Sequence, residues 1–210
     1  MGLAAQGWPL SAAQPLDWTG PDPADCDALL LGSANALRHA GPGLAAYAAL
    51  PAYAVGASTA AAARAAGLRV VAEGAGGLQD LFGQLAPAHR RLLRLGGEER
   101  VALTPPPGVT LTERAVYRIV HHPLPAALAE VLAAGALVLL HSAEAARHFA
   151  VEVDRAGLAR GTIALATIGP RVSAAAGSGW AALHAAPRPD DAALLALCAQ
   201  LCQNPPQSAN

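Results

Sequence analysis

The amino-acid sequence predicts an α/β protein with parallel sheets, because short apolar segments alternate with Ala-rich segments along most of its length. Strands that alternate with helices favour a parallel sheet covered by helices on both faces. The same strand–turn–helix unit also occurs in both halves, since A-L-L-L-G-S-A-N-A at 28–36 is matched by L-V-L-L-H-S-A-E-A at 137–145. A second matched unit carries Gly56 in one half and Gly169 in the other. The sequence therefore predicts two similar α/β halves that arose by internal duplication.

Each predicted element follows from its local composition. Short apolar runs predict strands, in chain order, at 8–18, 28–32, 51–55, 68–72, 91–95, 115–121, 137–140, 162–168 and 181–184. Ala-rich runs predict helices at 34–40, 60–66, 125–134, 143–150, 171–176 and 190–200, and a further helix is predicted at 78–85, after a Gly-rich turn. The segment Thr104–Gly108 contains three consecutive prolines, which exclude a helix there. The polar, Pro-rich tail Asn204–Asn210 is expected to fray.

The stretch Thr112–Ala126 lies between the two halves and has Tyr117 near its centre. Val116, Ile119 and Val120 are β-branched, as strands prefer, and the two prolines that follow end the strand. A short strand between two matching halves predicts a crossover between domains, where Tyr117 would face the cleft between them. In the alternative interpretation, Tyr117 only packs at the end of a strand.

Composition excludes several classes of protein. Hydrophobic residues make up 53% of the chain, charged residues 14%, and the formal net charge is −1, so no basic field exists to bind nucleic acid. The sequence contains no Lys, which excludes both a P-loop and a Schiff-base lysine. No apolar run reaches the ~18–20 residues of a membrane span, and the first residues do not have the pattern of a signal peptide. We therefore expect a cytoplasmic protein that binds neither nucleic acid nor membrane.

The cysteines and histidines predict neither a disulfide nor a metal site. Cys26, Cys198 and Cys202 are odd in number and lack C-x-x-C spacing. The seven histidines are scattered, and the adjacent pair His121–His122 has no acidic partner at metal-ligand spacing. We expect no metal.

Candidate binding positions lie in the turns where strands end and helices begin. Open α/β sheets bind ligands at the carboxyl edge, and a helix N-terminus offers free N–H groups to an anion. Ser33, Ser58 or Thr59, and Ser142 are the expected N-caps, and Pro170 is expected at the first helical position. Each cap could serve only its own helix, a contribution of ~1 kcal/mol. If the helix starts of both halves converge on one cleft, they would instead bind a ligand with many carboxylates.

These units, in this order, resemble the uroporphyrinogen-III synthase family. The segments that carry the resemblance are L-L-L-G-S-A-N-A, A-V-G-A-S-T-A-A-A-A-R-A-A-G, E-R-A-V-Y-R-I-V, L-V-L-L-H-S-A-E-A-A-R-H-F, I-G-P-R-V-S-A-A-A-G and A-P-R-P-D-D-A-A-L-L-A-L. The resemblance implies two flavodoxin-like parallel-sheet lobes joined by a two-stranded linker. The continuous lobe would span residues 15–120, and the discontinuous lobe would combine residues 1–14 and 121–204.

The resemblance also implies an activity and a site. Family members are hydro-lyases that cyclise the linear tetrapyrrole hydroxymethylbilane to uroporphyrinogen III with inversion of ring D, on the route to haem, sirohaem and cobalamin. The chain is then expected to be a cytoplasmic monomer without cofactor or metal that contacts hydroxymethylbilane synthase transiently. Tyr117 matches the family's cleft tyrosine and is the expected catalytic residue. The expected substrate-binding residues are Ser33, Ala34, Ser58, Thr59, Gly97, Ser142, Ala143, Gly169, Pro170, Arg171 and Val172.

The sequence departs from the family at its start, and two other functions stay open. Members begin with a βα unit, whereas here the discontinuous lobe is expected to lack its usual first strand, as after truncation. One alternative is a catalytically impaired homologue that acts as a two-lobed anion- or tetrapyrrole-binding module. The other is a dinucleotide-binding oxidoreductase, for which Gly74–Gln79 would have to serve as G-x-G-x-x-G although Gln79 replaces the third glycine.

Overall fold

The computed structural model describes residues 5–203, which form helices and parallel β-sheets. The strands are β1 (Ser11–Pro15), β2 (Ala28–Leu31), β3 (Pro51–Val55), β4 (Arg69–Gly74), β5 (Arg91–Gly97), β6 (Thr110–His121), β7 (Ala136–Leu140), β8 (Ile163–Thr167) and β9 (Ala182–Ala185). The α-helices are α1 (Ala34–His39), α2 (Ala57–Ala65), α3 (Ala126–Ala133), α4 (Ala143–Arg155), α5 (Pro170–Ala176) and α6 (Asp191–Gln203). The predicted α/β class with parallel sheets is confirmed, whereas the predicted frayed tail Asn204–Asn210 lies outside the described residues.

Contacts divide the chain into two compact units. The continuous unit is Ala13–Val120, and the discontinuous unit is formed by the two ends of the chain, up to Ala12 and from His121 onwards. Within residues 5–203, no helix is long and apolar enough to cross a membrane.

The continuous unit contains a sheet with five parallel strands whose order reverses once. Its strands lie in the order β6–β5–β2–β3–β4, with β1 beside β6. If β2 to β6 are renumbered 1 to 5 in chain order, the sheet reads 3-2-1-4-5 from β4 to β6, which is the order of a doubly wound sheet. Each of these neighbouring pairs is parallel. The reversal lies between β2 and β5, and a crevice is expected at the carboxyl ends of these two strands.

Strand β2 is apolar throughout because both of its faces are covered. Leu29 and Leu31 pack in one cluster with residues of α1 and α2, whereas Leu30 packs in another with Leu81. Alternate residues of a strand point to opposite faces, so a strand between two layers needs apolar residues at every position.

The predicted helix at 78–85 is wrong, because the chain forms only a 3₁₀ segment there, at Asp80–Gln84. The Asp80 carboxylate accepts a hydrogen bond from the Gly77 N–H (2.9 Å), which favours a tight turn at the start of the segment. Gly83 within it also lowers the propensity for an α-helix.

The predicted N-cap at Ser58 or Thr59 is wrong as well. Helix α2 already begins at Ala57, and Gly56 is its N-cap with a φ of 77°. This left-handed conformation suits glycine and places both hydroxyl residues inside the first turn of the helix.

The discontinuous unit contains a second parallel sheet of three strands, in the order β7–β8–β9. On one face of it, Ile163 and Leu165 are fully buried in a cluster with Phe149 of α4. On the other face, Ala166 packs with Leu194 of α6. Both faces of β8 are therefore covered by helices, as in the continuous unit.

Matched positions of the two halves have the same structural role. Ser33 is the N-cap of α1 after β2, and Ser142 is the N-cap of α4 after β7. In the next matched unit, Gly56 is the N-cap of α2 after β3, and Gly169 is the N-cap of α5 after β8. These equivalent caps support the predicted internal duplication.

Asp27 joins the amino ends of β2 and β5. Its Oδ2 accepts hydrogen bonds from the backbone N–H groups of Arg90 (2.9 Å) and Arg91 (2.8 Å). Its Oδ1 accepts from Nε (3.1 Å) and Nη2 (2.8 Å) of the Arg91 side chain. The Arg91 guanidinium, together with these backbone N–H groups, lowers the pKa of the Asp27 carboxyl to about 2.

Asp27→Asn is therefore expected to lower the free energy of unfolding by about 1 kcal/mol at neutral pH, a value discounted for partial solvent exposure. The folded-state pKa lies below the unfolded value of ~3.9, so the carboxylate stabilises the fold above about pH 4. This contribution is lost as the pH falls toward about 2. Urea unfolding of both proteins near pH 7, 4 and 2.5 measures the difference, and an equal difference at all three would contradict the assignment.

Candidate functional site

A cavity of about 570 Å³ lies at the carboxyl ends of β2 and β5 in the continuous unit. Gly32 and Ser33 line it where β2 ends, and the segment 94–97 lines it where β5 ends. The turn 77–79, the loop 99–103 and Tyr117 of β6 complete most of the wall. The cavity thus occupies the reversal of strand order, which is where open α/β sheets bind ligands.

Ser33 lines this cavity and caps helix α1. Its Oγ accepts a hydrogen bond from the Asn35 N–H at 3.1 Å, so the predicted N-cap is confirmed. Ala34 follows as the first residue of the helix and is buried. Contact of these two residues with a ligand stays a prediction.

Tyr117 lies in the cavity wall, next to the backbone of Gly97. The two residues are paired between β5 and β6, at a point where the register shifts after Gly96. The Glu98 N–H donates to the Tyr117 carbonyl oxygen at 2.8 Å, which fixes the strands together there. A Cβ at Gly97 would lie 3.0 Å from Cζ and 3.1 Å from Oη of Tyr117. A side chain at position 97 would therefore require the tyrosine ring to shift by a few tenths of an ångström.

Both interpretations of Tyr117 have structural support. Its half-buried ring packs against the hydrophobic core of the continuous unit and lies 6.0 Å from the His39 ring, centroid to centroid. The same residue lines the cavity. Tyr117 is therefore a packed residue of β6 that also faces the space available to a ligand.

A cluster of charged side chains at the cavity was not predicted from the sequence. Arg94 of β5 is only 4% exposed, and its Nη1 donates to Glu113 Oε1 (2.6 Å) and to the Val101 carbonyl oxygen (2.8 Å). Arg100 Nε lies 3.6 Å from the same Glu113 oxygen, and its Nη1 donates to the Gly97 carbonyl oxygen (2.9 Å). The available signal was a charged residue inside the apolar run R-L-L-R-L at 91–95.

Gln79 fixes the loop that follows β5. Its Nε2 donates to the Thr104 carbonyl oxygen (2.9 Å), and its Oε1 accepts from the Thr104 N–H (3.0 Å). The segment Gly74–Gln79 leads into a 3₁₀ segment instead of the α-helix that a dinucleotide fingerprint opens. Its geometry does not favour the oxidoreductase alternative.

Ser58 and Thr59 lie outside the cavity wall, although both are close to the end of β3. Thr59 is buried and contributes to the packing of α2, whereas Ser58 is exposed. Val55, the last residue of β3, lines the cavity instead. Contact of Ser58 or Thr59 with substrate stays a prediction.

The predicted site residues of the discontinuous unit share one edge of its sheet. Ser142 and Ala143 follow β7, the segment 169–172 follows the adjacent parallel strand β8, and Ser142 Oγ accepts from the Ala145 N–H at 3.0 Å. Pro170 is the first residue of α5 as predicted, and Arg171 is exposed. Val172 is buried in the core, so its side chain is structural. The predicted cleft shared by both halves stays a prediction.

The metal-binding residue types are dispersed. Among residues 5–203, no three His, Cys, Asp or Glu side chains are grouped as a ligand set for a metal ion. Cys26, Cys198 and Cys202 are free thiols. Burial raises the pKa of the Cys26 and Cys198 thiols, which disfavours their reactive thiolate forms.

Fold and site together define an α/β protein of two units with a ligand cavity at the carboxyl edge of a doubly wound sheet. The family model of uroporphyrinogen-III synthase HemD matches residues 10–196. The chain therefore belongs to the uroporphyrinogen-III synthase family, whose members are enzymes of tetrapyrrole synthesis. The resemblance seen in the sequence is confirmed.

Solved structures of uroporphyrinogen-III synthases are similar to this chain. Uroporphyrinogen-III synthetase from Helicobacter pylori is 18% identical, with a TM-score of 0.67 over 91% of each chain. A mutant uroporphyrinogen III synthase from the extremely thermophilic bacterium Thermus thermophilus is 17% identical, with a TM-score of 0.53 over 93% of this chain and 88% of its own. At these identities the likeness supports the fold alone. Among curated proteins, none matches the sequence significantly.

Gly97→Ala is expected to lower the free energy of unfolding by about 1–3 kcal/mol, because the new methyl group would lie 3.0–3.2 Å from atoms of the Tyr117 side chain. Gly83→Ala is the matched control, since no atom lies within 4 Å of its Cβ position, and its effect should stay within about 0.5 kcal/mol. Chemical denaturation of a double-mutant cycle with Tyr117→Ala measures the coupling of positions 97 and 117. Strictly additive effects would exclude the proposed clash.

Proposed function

We propose that this chain catalyses the family reaction, the closure of hydroxymethylbilane to uroporphyrinogen III with inversion of ring D. The observation that carries the proposal is the cavity at the reversal of strand order, which Tyr117 lines in a chain that belongs to this family. The enzyme would be a hydro-lyase, because ring closure releases one molecule of water. No observation favours the impaired homologue.

Ring closure with inversion changes which α-carbon of ring D is bonded to each of its two neighbouring bridge carbons. The bond between the hydroxymethyl carbon and its oxygen breaks, and the oxygen leaves as water, which generates an electrophilic azafulvene. The substituted α-carbon of ring D attacks this carbon and forms a spiro intermediate. The bond between ring D and the methylene carbon that joined it to ring C then breaks. The unsubstituted α-carbon of ring D forms a new bond to that methylene carbon. Loss of a proton restores the pyrrole, so the net change is the loss of one water.

The protein has to hold the flexible chain in the folded conformation that leads to inversion. Positioning of this kind contributes up to ~7–11 kcal/mol to lowering the barrier. Tyr117 would donate a hydrogen bond from its hydroxyl to the departing oxygen, an effect typically worth ~10²–10⁴ in rate. Apolar walls from Leu78 and Leu103 would contact the pyrrole rings.

The proposal extends to the remaining residues and to the setting of the enzyme. The two functional lobes would be residues 15–120 and residues 1–14 with 121–204. The residues assigned to substrate from the resemblance would contact hydroxymethylbilane through their helix starts. The enzyme would act in the cytoplasm as a monomer that receives its substrate during a transient contact with hydroxymethylbilane synthase.

The activity is tested directly by product analysis. Purified protein is incubated with hydroxymethylbilane, the products are oxidised to porphyrins, and isomers I and III are separated. We expect isomer III to predominate, because the uncatalysed closure gives the uninverted isomer I. A product mixture equal to that of a reaction without protein would overturn the proposed function.

Tyr117→Phe is expected to lower turnover at saturating hydroxymethylbilane by ~10–100-fold with little change in KM, because the ring packing stays and only the hydroxyl is lost. Tyr47→Phe is the matched control. The Tyr47 hydroxyl donates to the Pro21 carbonyl oxygen at 2.6 Å, so its removal should lower stability by ~1 kcal/mol without affecting turnover. Unchanged turnover and isomer ratio in Tyr117→Phe would assign Tyr117 a purely structural role.

A further inference from the structure

We propose that Arg94, supported by Arg100, forms a carboxylate-binding subsite in the cavity of the continuous unit. In the proposed function, on which this identification of the ligand rests, the subsite takes one side-chain carboxylate of the substrate. Arg94 would be a specific anchor for the ligand, in addition to the helix starts and Tyr117.

The guanidinium of Arg94 is buried but only partly paired. The residue is 4% exposed, and both of its hydrogen bonds within the described part of the chain come from Nη1. Nε is buried and has no partner among residues 5–203. Buried donors are nearly always satisfied, and a buried cation is stable only when it is paired. A cationic side chain with an unused donor in a cavity wall is therefore suited to an anionic ligand.

The charges around Arg94 leave room for one more carboxylate. Glu113 Oε1 lies 2.6 Å from Arg94 Nη1 and 3.6 Å from Arg100 Nε, so two guanidiniums share a single carboxylate. Glu99 also lines the cavity, but it is exposed and forms no ion pair within residues 5–203. Arg100 is exposed as well, so solvent screens the charges of both residues, and the buried Nε of Arg94 is the donor left to bind an anion.

The rest of the wall indicates which kind of anion fits. Leu78 and Leu103 line the cavity with partly exposed side chains, and Val55 and Val101 add further apolar surface. A ligand that complements this wall has a flat apolar body and a carboxylate, which a guanidinium binds with two parallel hydrogen bonds. A pyrrole ring with a carboxylate side chain has this chemistry.

The subsite is tested by binding of uroporphyrin I, a stable octacarboxylate, followed by its fluorescence at fixed ionic strength. Arg94→Met is expected to weaken binding by about 10–100-fold, because one charge-assisted interaction is lost. Glu113→Gln should tighten binding by about 3–10-fold, because it frees both guanidiniums from their shared partner. Arg69→Met is the matched control, since it removes an exposed cation at the amino end of β4, and its affinity should change less than twofold.

Turnover of hydroxymethylbilane separates this proposal from the proposed function. If the activity is present, Arg94→Met should raise KM more than it lowers kcat. If the wild-type protein forms no isomer III but binds the porphyrin in an Arg94-dependent way, the subsite stands and the proposed function fails. Wild-type protein that does not bind the porphyrin, or Arg94→Met with unchanged affinity, overturns the subsite. If Arg94→Met does not fold, Glu113→Gln decides, and weaker binding by that variant also overturns the subsite.

Discussion

The reversal of strand order between β2 and β5 is the constraint on which the candidate site depends. The two strands are neighbours, but the chain leaves them toward opposite faces of the sheet. Helix α1 packs with Leu29 and Leu31 on one face, whereas Leu103 and Val109 of the loop after β5 pack with Leu30 on the other. Because the two exits diverge, a space remains between them at the carboxyl edge of the sheet.

Strand β5 contributes a charged residue and a glycine to that cavity, and both reduce the apolar packing of the strand. Leu93 and Leu95 pack on the side of α1, so Leu92 and Arg94 point to the opposite face. A charged group in this position replaces an apolar core residue, and burial of its ion pair with Glu113 adds little net stability. Gly97 contributes no side chain to the core, and its bare backbone admits the Tyr117 ring. Such departures from a well-packed strand are expected at functional positions.

The sequence was sufficient for features that depend on local composition. The alternation of apolar and Ala-rich runs predicted the parallel α/β fold, and Ser33 and Ser142 were identified as caps from their positions before helices. The cap at Gly56 was missed because a hydroxyl residue is the usual choice, and glycine takes this role here through its left-handed backbone. The pairing of Arg94 with Glu113 depends on the register of β5 with β6. The two residues are 19 positions apart, so local sequence patterns do not reveal this register. The same register sets Gly97 against Tyr117, so the sequence selected Tyr117 from its place between the halves but not its contact with Gly97.

The central claim is that substrate and product bind in the cavity at the ends of β2 and β5. Hydrogen–deuterium exchange of the protein with and without uroporphyrinogen III, kept under anaerobic conditions, tests it most directly. Exchange should slow in peptides that contain residues 32–36 and 95–103, whereas peptides from the amino ends of the same strands, such as 24–28 and 88–92, should stay unchanged. Slower exchange elsewhere in the chain, with none in these two segments, would contradict the account.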